Sequence, residues 1–130
     1  MGEMTGGTRE VGRRGEDAAV RYIERKGYKI VERNFTCRLG EMDIIALDGK
    51  TLCFIEVKTV SGKTYGPPEI AVNVSKQHKL SKVALTYLNR NHLHDTRARF
   101  DVIGVTLSPR GERVELIKDA FDLRYPGPLD

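Results

Sequence analysis

The chain is poor in the residues that staple or anchor a protein. It has 2 cysteines in 130 residues, Cys37 and Cys53, and neither lies in a Cys-x-x-Cys or His-rich pattern. A zinc centre needs a closer cluster of ligands than this. A disulfide is not expected in a reducing compartment. Each cysteine falls in a predicted strand, where a reduced thiol behaves as a small hydrophobe. No apolar run approaches the roughly 20 residues that span a bilayer. The stretch from Met1 to Gly15 is polar and basic and lacks the apolar centre of a signal peptide. Gly6 stands where myristoylation needs Ser or Thr. Internal repeats, low-complexity segments and long linkers are also missing. The expectation is a cytoplasmic protein with no membrane contact, folded as a single domain over 1–130. Fraying is expected at 1–8 and 124–130, where Gly and Pro gather.

What the chain does have is charge. Charged residues make up 31% and hydrophobic residues 39%, with a net charge of +4. Between Val60 and Arg99 there are seven basic residues (Lys63, Lys76, Lys79, Lys82, Arg90, Arg97, Arg99) against two acidic ones, a net of +5. The whole excess therefore sits in one window. A localised basic region points to a polyanionic partner such as nucleic acid. A solvated lysine-rich helix face gives the same count.

Apolar spacing sets the elements. A first helix is predicted from about Arg9 to Lys26, with Ala18, Ala19, Tyr22, Ile23 and Lys26 at helical spacing and Gly27 at its C′ position. Strands follow at Tyr28 to Cys37, Glu41 to Leu47 and Lys50 to Thr59. Asp48-Gly49 is the signature of a two-residue hairpin turn between the last two. A loop from Val60 to Pro68 precedes a second helix. Ser75 caps that helix, which runs to about Asn91 on a stripe of Leu80, Ala84, Tyr87 and Leu88. Arg99 to Leu107 and Arg113 to Lys118 are two more strands, and a short helical turn is expected at Asp119 to Leu123. The order α-β-β-β-α-β-β gives an α/β protein, with helices on a mixed sheet.

The informative anomaly is Leu52-Cys53-Phe54-Ile55-Glu56-Val57-Lys58. Glu56 and Lys58 are two apart in an apolar strand and share one face. A buried unpaired charge costs several kcal/mol, and such breaches gather at functional sites. A structural Glu–Lys ion pair satisfies the same pattern. With Asp48-Gly49 as the turn, Leu47 lies opposite Lys50, Asp43 opposite Phe54 and Glu41 opposite Glu56. Glu41, Asp43, Glu56 and Lys58 then share a side, with Asp43 diagonal to Glu56 at about 7–8 Å. A slip of one residue would remove the site.

On the first helix Glu16 lies at the edge of the apolar stripe and leans over the sheet, while Asp17 points to solvent. Glu16, Asp43 and Glu56 against Lys58 leave a formal charge near −2, which a divalent cation offsets. The hard oxygen donors favour Mg²⁺ or Mn²⁺ over zinc. Asp43, Glu56 and the Val57 carbonyl are the expected metal ligands, with Glu16 acting directly or through water. Lys58 is expected to orient the attacking water or to offset phosphoryl charge.

Lys76 and Gln77, in the second helix's first turn, are expected to contact phosphate, together with Lys79 and Lys63. Tyr65 is a candidate for stacking on a base. Glu41, further along the hairpin, reads equally as a residue that supports or gates the site and as a solvent-exposed one. Arg99 and Asp101 share a strand face and read as a structural ion pair. His92-Leu93-His94-Asp95 reads as a surface turn.

Gly15-Glu16, Gly40-Glu41-Met42-Asp43, Phe54-Ile55-Glu56-Val57-Lys58, Lys76-Gln77 and Arg99-Phe100-Asp101 together resemble the YraN-like family of small bacterial proteins, from about Gly12 to Phe121. That family resembles PD-(D/E)XK nucleases, closest to archaeal Holliday-junction resolvases. The resemblance implies a restriction-endonuclease-like fold and a Mg²⁺-dependent endonuclease acting on branched or single-stranded DNA, DNA rather than RNA. It matches Glu16 to the helix-one glutamate, Asp43 to the metal-binding aspartate, and Glu56 and Lys58 to the Glu-x-Lys pair. Val60 departs from the pattern, because an arginine commonly follows the Lys-Thr there. A homodimer would supply paired incisions. A non-catalytic nucleic-acid-binding module and a partner-docking subunit in DNA processing are the alternatives.

Overall fold

A computed structural model describes residues 8–61 and 71–124, and within these the chain order follows the predicted one. Helix α1 spans Thr8–Arg25. Its end is set by Gly27, which holds φ +95°. The Tyr28 amide donates to the Ile23 carbonyl and the Gly27 amide to the Glu24 carbonyl. This 6→1 and 5→2 pair is the Schellman arrangement that a glycine at C′ permits. Tyr28 then packs in the same buried cluster as Ile23, so the chain leaves the helix directly into the sheet.

Strands β1 (Lys29–Cys37), β2 (Gly40–Asp48), β3 (Thr51–Ser61), β4 (Ala98–Ser108) and β5 (Gly111–Phe121) form one sheet in sequential order. All neighbours are antiparallel except β3 and β4, which run parallel. A parallel pair needs a long crossover, and helix α2 (Val74–Arg90) lies within it. The two helices cover opposite faces. Ala18, Ala19 and Ile23 of α1 pack with Ile44, Ile55, Ile103 and Val105. Leu80, Val83, Ala84 and Tyr87 of α2 pack with Met42, Ile45, Phe54, Phe100 and Val102. The result is a three-layer α/β/α sandwich with two cores.

Three local expectations are corrected. The hairpin pairs Asp48 with Thr51 and Leu47 with Leu52, so its two turn residues are Gly49 and Lys50. Gly49 has φ +65° and Lys50 is not among the positive-φ residues. A turn centred on Asp48-Gly49 in the I′ form would need φ > 0 at both positions, whereas Gly-x needs it only at the glycine. The cap of α2 is Asn73, whose Oδ1 accepts from the Lys76 amide at 2.8 Å, and not Ser75. The expected helical turn at Asp119 to Leu123 is absent, because β5 continues to Phe121. There Asp119 takes φ +53° in a register shift, donates its amide to Asp101 Oδ1, and lets Phe121 stack on Phe100 with centroids 4.7 Å apart.

The Arg99–Asp101 pair is structural, and larger than expected. Arg99 Nε donates to Asp101 Oδ1 at 2.9 Å, while Nη2 donates to Asp48 Oδ2 and the Tyr28 hydroxyl at 2.8 Å each. Asp101 is 1% exposed, so its charge depends on these donors. Burial pushes the Tyr28 hydroxyl up to about 12, and Asp101 adds to the rise. Burial likewise raises the Cys53 thiol to about 12, which keeps it protonated and unreactive. Both cysteines are free. The His92 to Asp95 segment is a turn with three of its four residues exposed, as expected.

Candidate functional site

The site lies where β2 and β3 part. Their ladder runs from Asp48–Thr51 to Ile44–Ile55. Beyond it, the Val57 amide donates to Asp43 Oδ2 at 2.8 Å, so a side chain takes the place of a ladder bond. The register differs from the expected one by two residues. A two-residue shift preserves strand faces, and it moves Asp43 from diagonal to Glu56 towards a position opposite it. Burial and the neighbouring Glu56 carboxylate together push the Asp43 carboxyl up to about 7, while the Val57 amide works against them.

The expected single shared face is replaced by a junction between faces. Met42 packs under α2 whereas Ile44 packs under α1, although they are two apart. Regular alternation therefore breaks at Asp43. On β1 it breaks opposite, at Asn34, which has φ +54°. Asp43 consequently lines a cleft of about 740 Å³ beside α1, together with Glu16, Glu41, Val57 and Thr59. Glu56 lies on the α2 side, with Lys76 Nζ 3.6 Å from its Oε2. Asp43 and Glu56 still interact directly. Asp43 lies just past the last β2–β3 ladder pair, and Glu56 lies at the middle of β3, which still runs parallel to β4 there.

Glu16 is brought in by close packing. A Cβ at Gly15 would run into the Thr59 side chain, so only glycine lets α1 lie this near to β3. Glu16 is 9% exposed. Its Oε1 accepts from Arg33 Nε at 3.2 Å, Arg33 Nη2 at 3.1 Å and Asn34 Nδ2 at 2.9 Å. Burial raises its carboxyl and Asp43 adds to the rise, against Arg33 and Asn34. All three donors converge on one oxygen. Asp17, expected to be solvated, is instead paired with Arg33 Nη2 at 2.6 Å.

The carboxylates thus form two neighbouring relations that share Asp43. Among the described residues, no group of three Asp, Glu, His or Cys side chains is arranged as a ready-made metal cage. The interacting carboxylates of Asp43 and Glu56 still suit a small hard cation, since Mg²⁺ takes one or two carboxylates and keeps several waters.

Lys58 is half-buried and has no ion-pair partner among the described residues. Lys79 is exposed, and its stem passes over Gly40 at the start of β2. Gln77 is occupied elsewhere: its Nε2 donates to the Val72 carbonyl at 2.6 Å and its Oε1 accepts from Arg124 at 2.7 Å. Glu41 is exposed at the cleft. Lys63 and Tyr65 lie outside the described residues.

Arg33 and Asn34 are not among the site residues expected from the sequence. An Asn inside a predicted strand was the available signal, because Asn disfavours strands and tolerates left-handed φ.

Fold and site define a small α/β protein with an interacting carboxylate pair where strands β2 and β3 part. The chain belongs to the family described as Uncharacterised protein family UPF0102, whose model matches residues 15–105, and this is the YraN-like family its motifs resemble. A UPF0102 protein of Syntrophus aciditrophicus (strain SB) is 51% identical over 114 residues, covering 88% of this chain and 90% of that protein. A UPF0102 protein of Geobacter metallireducens (strain ATCC 53774 / DSM 7210 / GS-15) is 51% identical over 117 residues, covering 90% and 96%. One from Clostridium kluyveri is 44% identical over 117 residues, covering 88% and 96%. No helix among the described residues is long and apolar enough to cross a membrane.

Proposed function

We propose that the protein is a metal-dependent, endonuclease-like hydrolase of phosphodiester bonds in DNA, branched or single-stranded. The observation that carries this reading is the Asp43–Glu56 pair. One of its members is held near neutral pKa by burial and like charge, beside an open cleft. Carboxylates are seldom crowded in this way without a cation to share. Asp43, Glu56 and the Val57 carbonyl would hold Mg²⁺ or Mn²⁺, with Glu16 acting through water. When bound, that ion supplies Lewis-acid polarisation of the phosphodiester and a lowered pKa for its water.

The remaining tasks fall to the chain's own cations. Lys58, free of ion pairs among the described residues, offsets charge on the phosphoryl oxygens. Lys76 balances Glu56 before substrate arrives and can turn to a phosphate afterwards. Lys79 extends this basic side. Two copies would make the paired incisions that a four-way junction requires.

One observation favours a second reading, a nucleic-acid-binding module without turnover. Glu16 is engaged by Arg33 and Asn34 and stands apart from a three-carboxylate cage. Incubating the protein with forked, junction and linear DNAs under Mg²⁺ or Mn²⁺ separates the two. Cleavage that falls at least 100-fold in Asp43→Ala and in Glu56→Ala supports the hydrolase. Salt-dependent binding without products supports the module. Absence of any binding at low salt leaves a protein-docking role.

A further inference from the structure

The cleft beside Asp43 has a second wall, formed by the first two turns of α1. Arg9, Gly12 and Arg13 line it. Arg9 and Arg13 are exposed, and neither has an ion-pair partner among the described residues. Being four apart on a helix, they point the same way and lie about 6 Å apart along its axis. That separation is close to the spacing of neighbouring phosphates on one nucleic-acid strand. Between them stands Gly12. Glycine inside a helix costs about 1 kcal/mol relative to alanine, and usually a neighbour explains it. Thr59 explains Gly15 in this way, but among the described residues a Cβ at Gly12 would meet nothing within 4 Å. The described residues therefore give Gly12 no packing role, and it lines the cleft beside two guanidinium groups that have no ion-pair partner among them.

We propose that Arg9, Gly12 and Arg13 form a track for the sugar-phosphate backbone of a single nucleic-acid strand. The two arginines hold adjacent phosphates, and Gly12 keeps the helix surface clear so that the strand lies close against it. The track faces Asp43 across the cleft, on the opposite side of the carboxylates from Lys76 and Lys79. It rests on the reading of this cleft as a nucleic-acid site, and it adds residues and a substrate form that the α2 cations do not supply.

Fluorescence anisotropy of a labelled oligo(dT) strand, titrated with the full-length protein at several salt concentrations without metal, tests it. In Arg9→Ala with Arg13→Ala, the slope of log K against log salt should flatten by about 1.4, the loss of two single-strand phosphate contacts. A charge-matched control, Arg14→Ala with Arg25→Ala, removes two arginines of the same helix that do not line the cleft, and should change the slope by less than half as much. Gly12→Leu should weaken binding about tenfold or more while its thermal midpoint equals or exceeds that of the parent chain.

Equal losses in the track and control variants would overturn the track, leaving only diffuse charge. Undiminished binding by Gly12→Leu would overturn the close approach. If the parent chain binds no strand at low salt, the nucleic-acid reading itself fails and the track with it. Binding by the parent that is indifferent to all three track substitutions refutes the track alone.

Discussion

Asp43 is the residue on which most of the proposed chemistry turns. Its carboxyl sits at about 7 in the fold against an ordinary 3.8, raised first by burial and then by Glu56. The native state therefore binds the Asp43 proton more tightly than the unfolded chain does. Below about pH 4 both states hold it and stability is unaffected. As pH rises from about 4 to 7 the unfolded chain ionises first, so stability falls, and above about 7 the penalty is complete. Asp43→Asn keeps an oxygen for the Val57 amide and removes the repulsion. Urea unfolding without metal should show this variant more stable than the parent by about 1–3 kcal/mol at pH 8, with the gap closing towards pH 4. A gap that is constant with pH would mean that Asp43 is not strained by its neighbours. Gains of this kind typically come at positions where function needs an uncomfortable charge.

At the scale of elements, the decisive contact is between α1 and β3. Gly15 against Thr59 sets the distance between helix and sheet, and that distance places the next residue, Glu16, at the cleft. Gly15→Ala would favour the isolated helix but force α1 outward, because the added methyl meets both Oγ1 and Cγ2 of Thr59. We expect a loss of about 1–3 kcal/mol, the range for overpacking. Much of it should return in Gly15→Ala with Thr59→Gly, which clears the clashing atoms. Chemical denaturation of the four proteins of this cycle measures the coupling. If Gly15→Ala is neutral, the helix is not held at this distance by Thr59. The neighbouring element β1 contributes through Asn34, whose left-handed turn brings Arg33 and the Asn34 amide onto one oxygen of Glu16.

At the scale of the whole molecule, the polar machinery is divided between the two ends of the sheet. The Arg99, Asp101, Asp48 and Tyr28 network closes one end and fixes the strand starts. The carboxylate pair opens the other end, where the strands separate. A cation taken up by the folded state alone must stabilise the entire domain by linkage, by about 2.7 kcal/mol at a concentration 100-fold above its dissociation constant. Millimolar Mn²⁺ should therefore raise the thermal midpoint of the parent chain. The rise should vanish in Asp43→Asn and shrink in Glu56→Gln. An equal rise in all three proteins would place any bound ion elsewhere.

The order of elements was legible because each is written in local terms: helical spacing around Ile23 and Leu80, glycine at the end of α1, and apolar strands between turns. Glu56 and Lys58 were legible as breaches in an apolar strand. The cap at Asn73, the extension of β5 through Asp119 and the turn at Gly49-Lys50 were misread. At the cap and the turn a nearby residue offered similar local chemistry, and at β5 the pairing of Phe121 with Phe100 across the sheet overrode the local pattern. By itself the sequence determined which carboxylates and cations exist and which elements carry them, because periodicity and glycine placement act over a few residues. Only the tertiary structure decided that Asp43 leaves the regular face for the α1 cleft while the register sets it against Glu56 where two strands part, and that Arg33 and Asn34 hold Glu16. Those relations depend on register and on helix-to-sheet distance, which are set by packing between segments far apart in the chain.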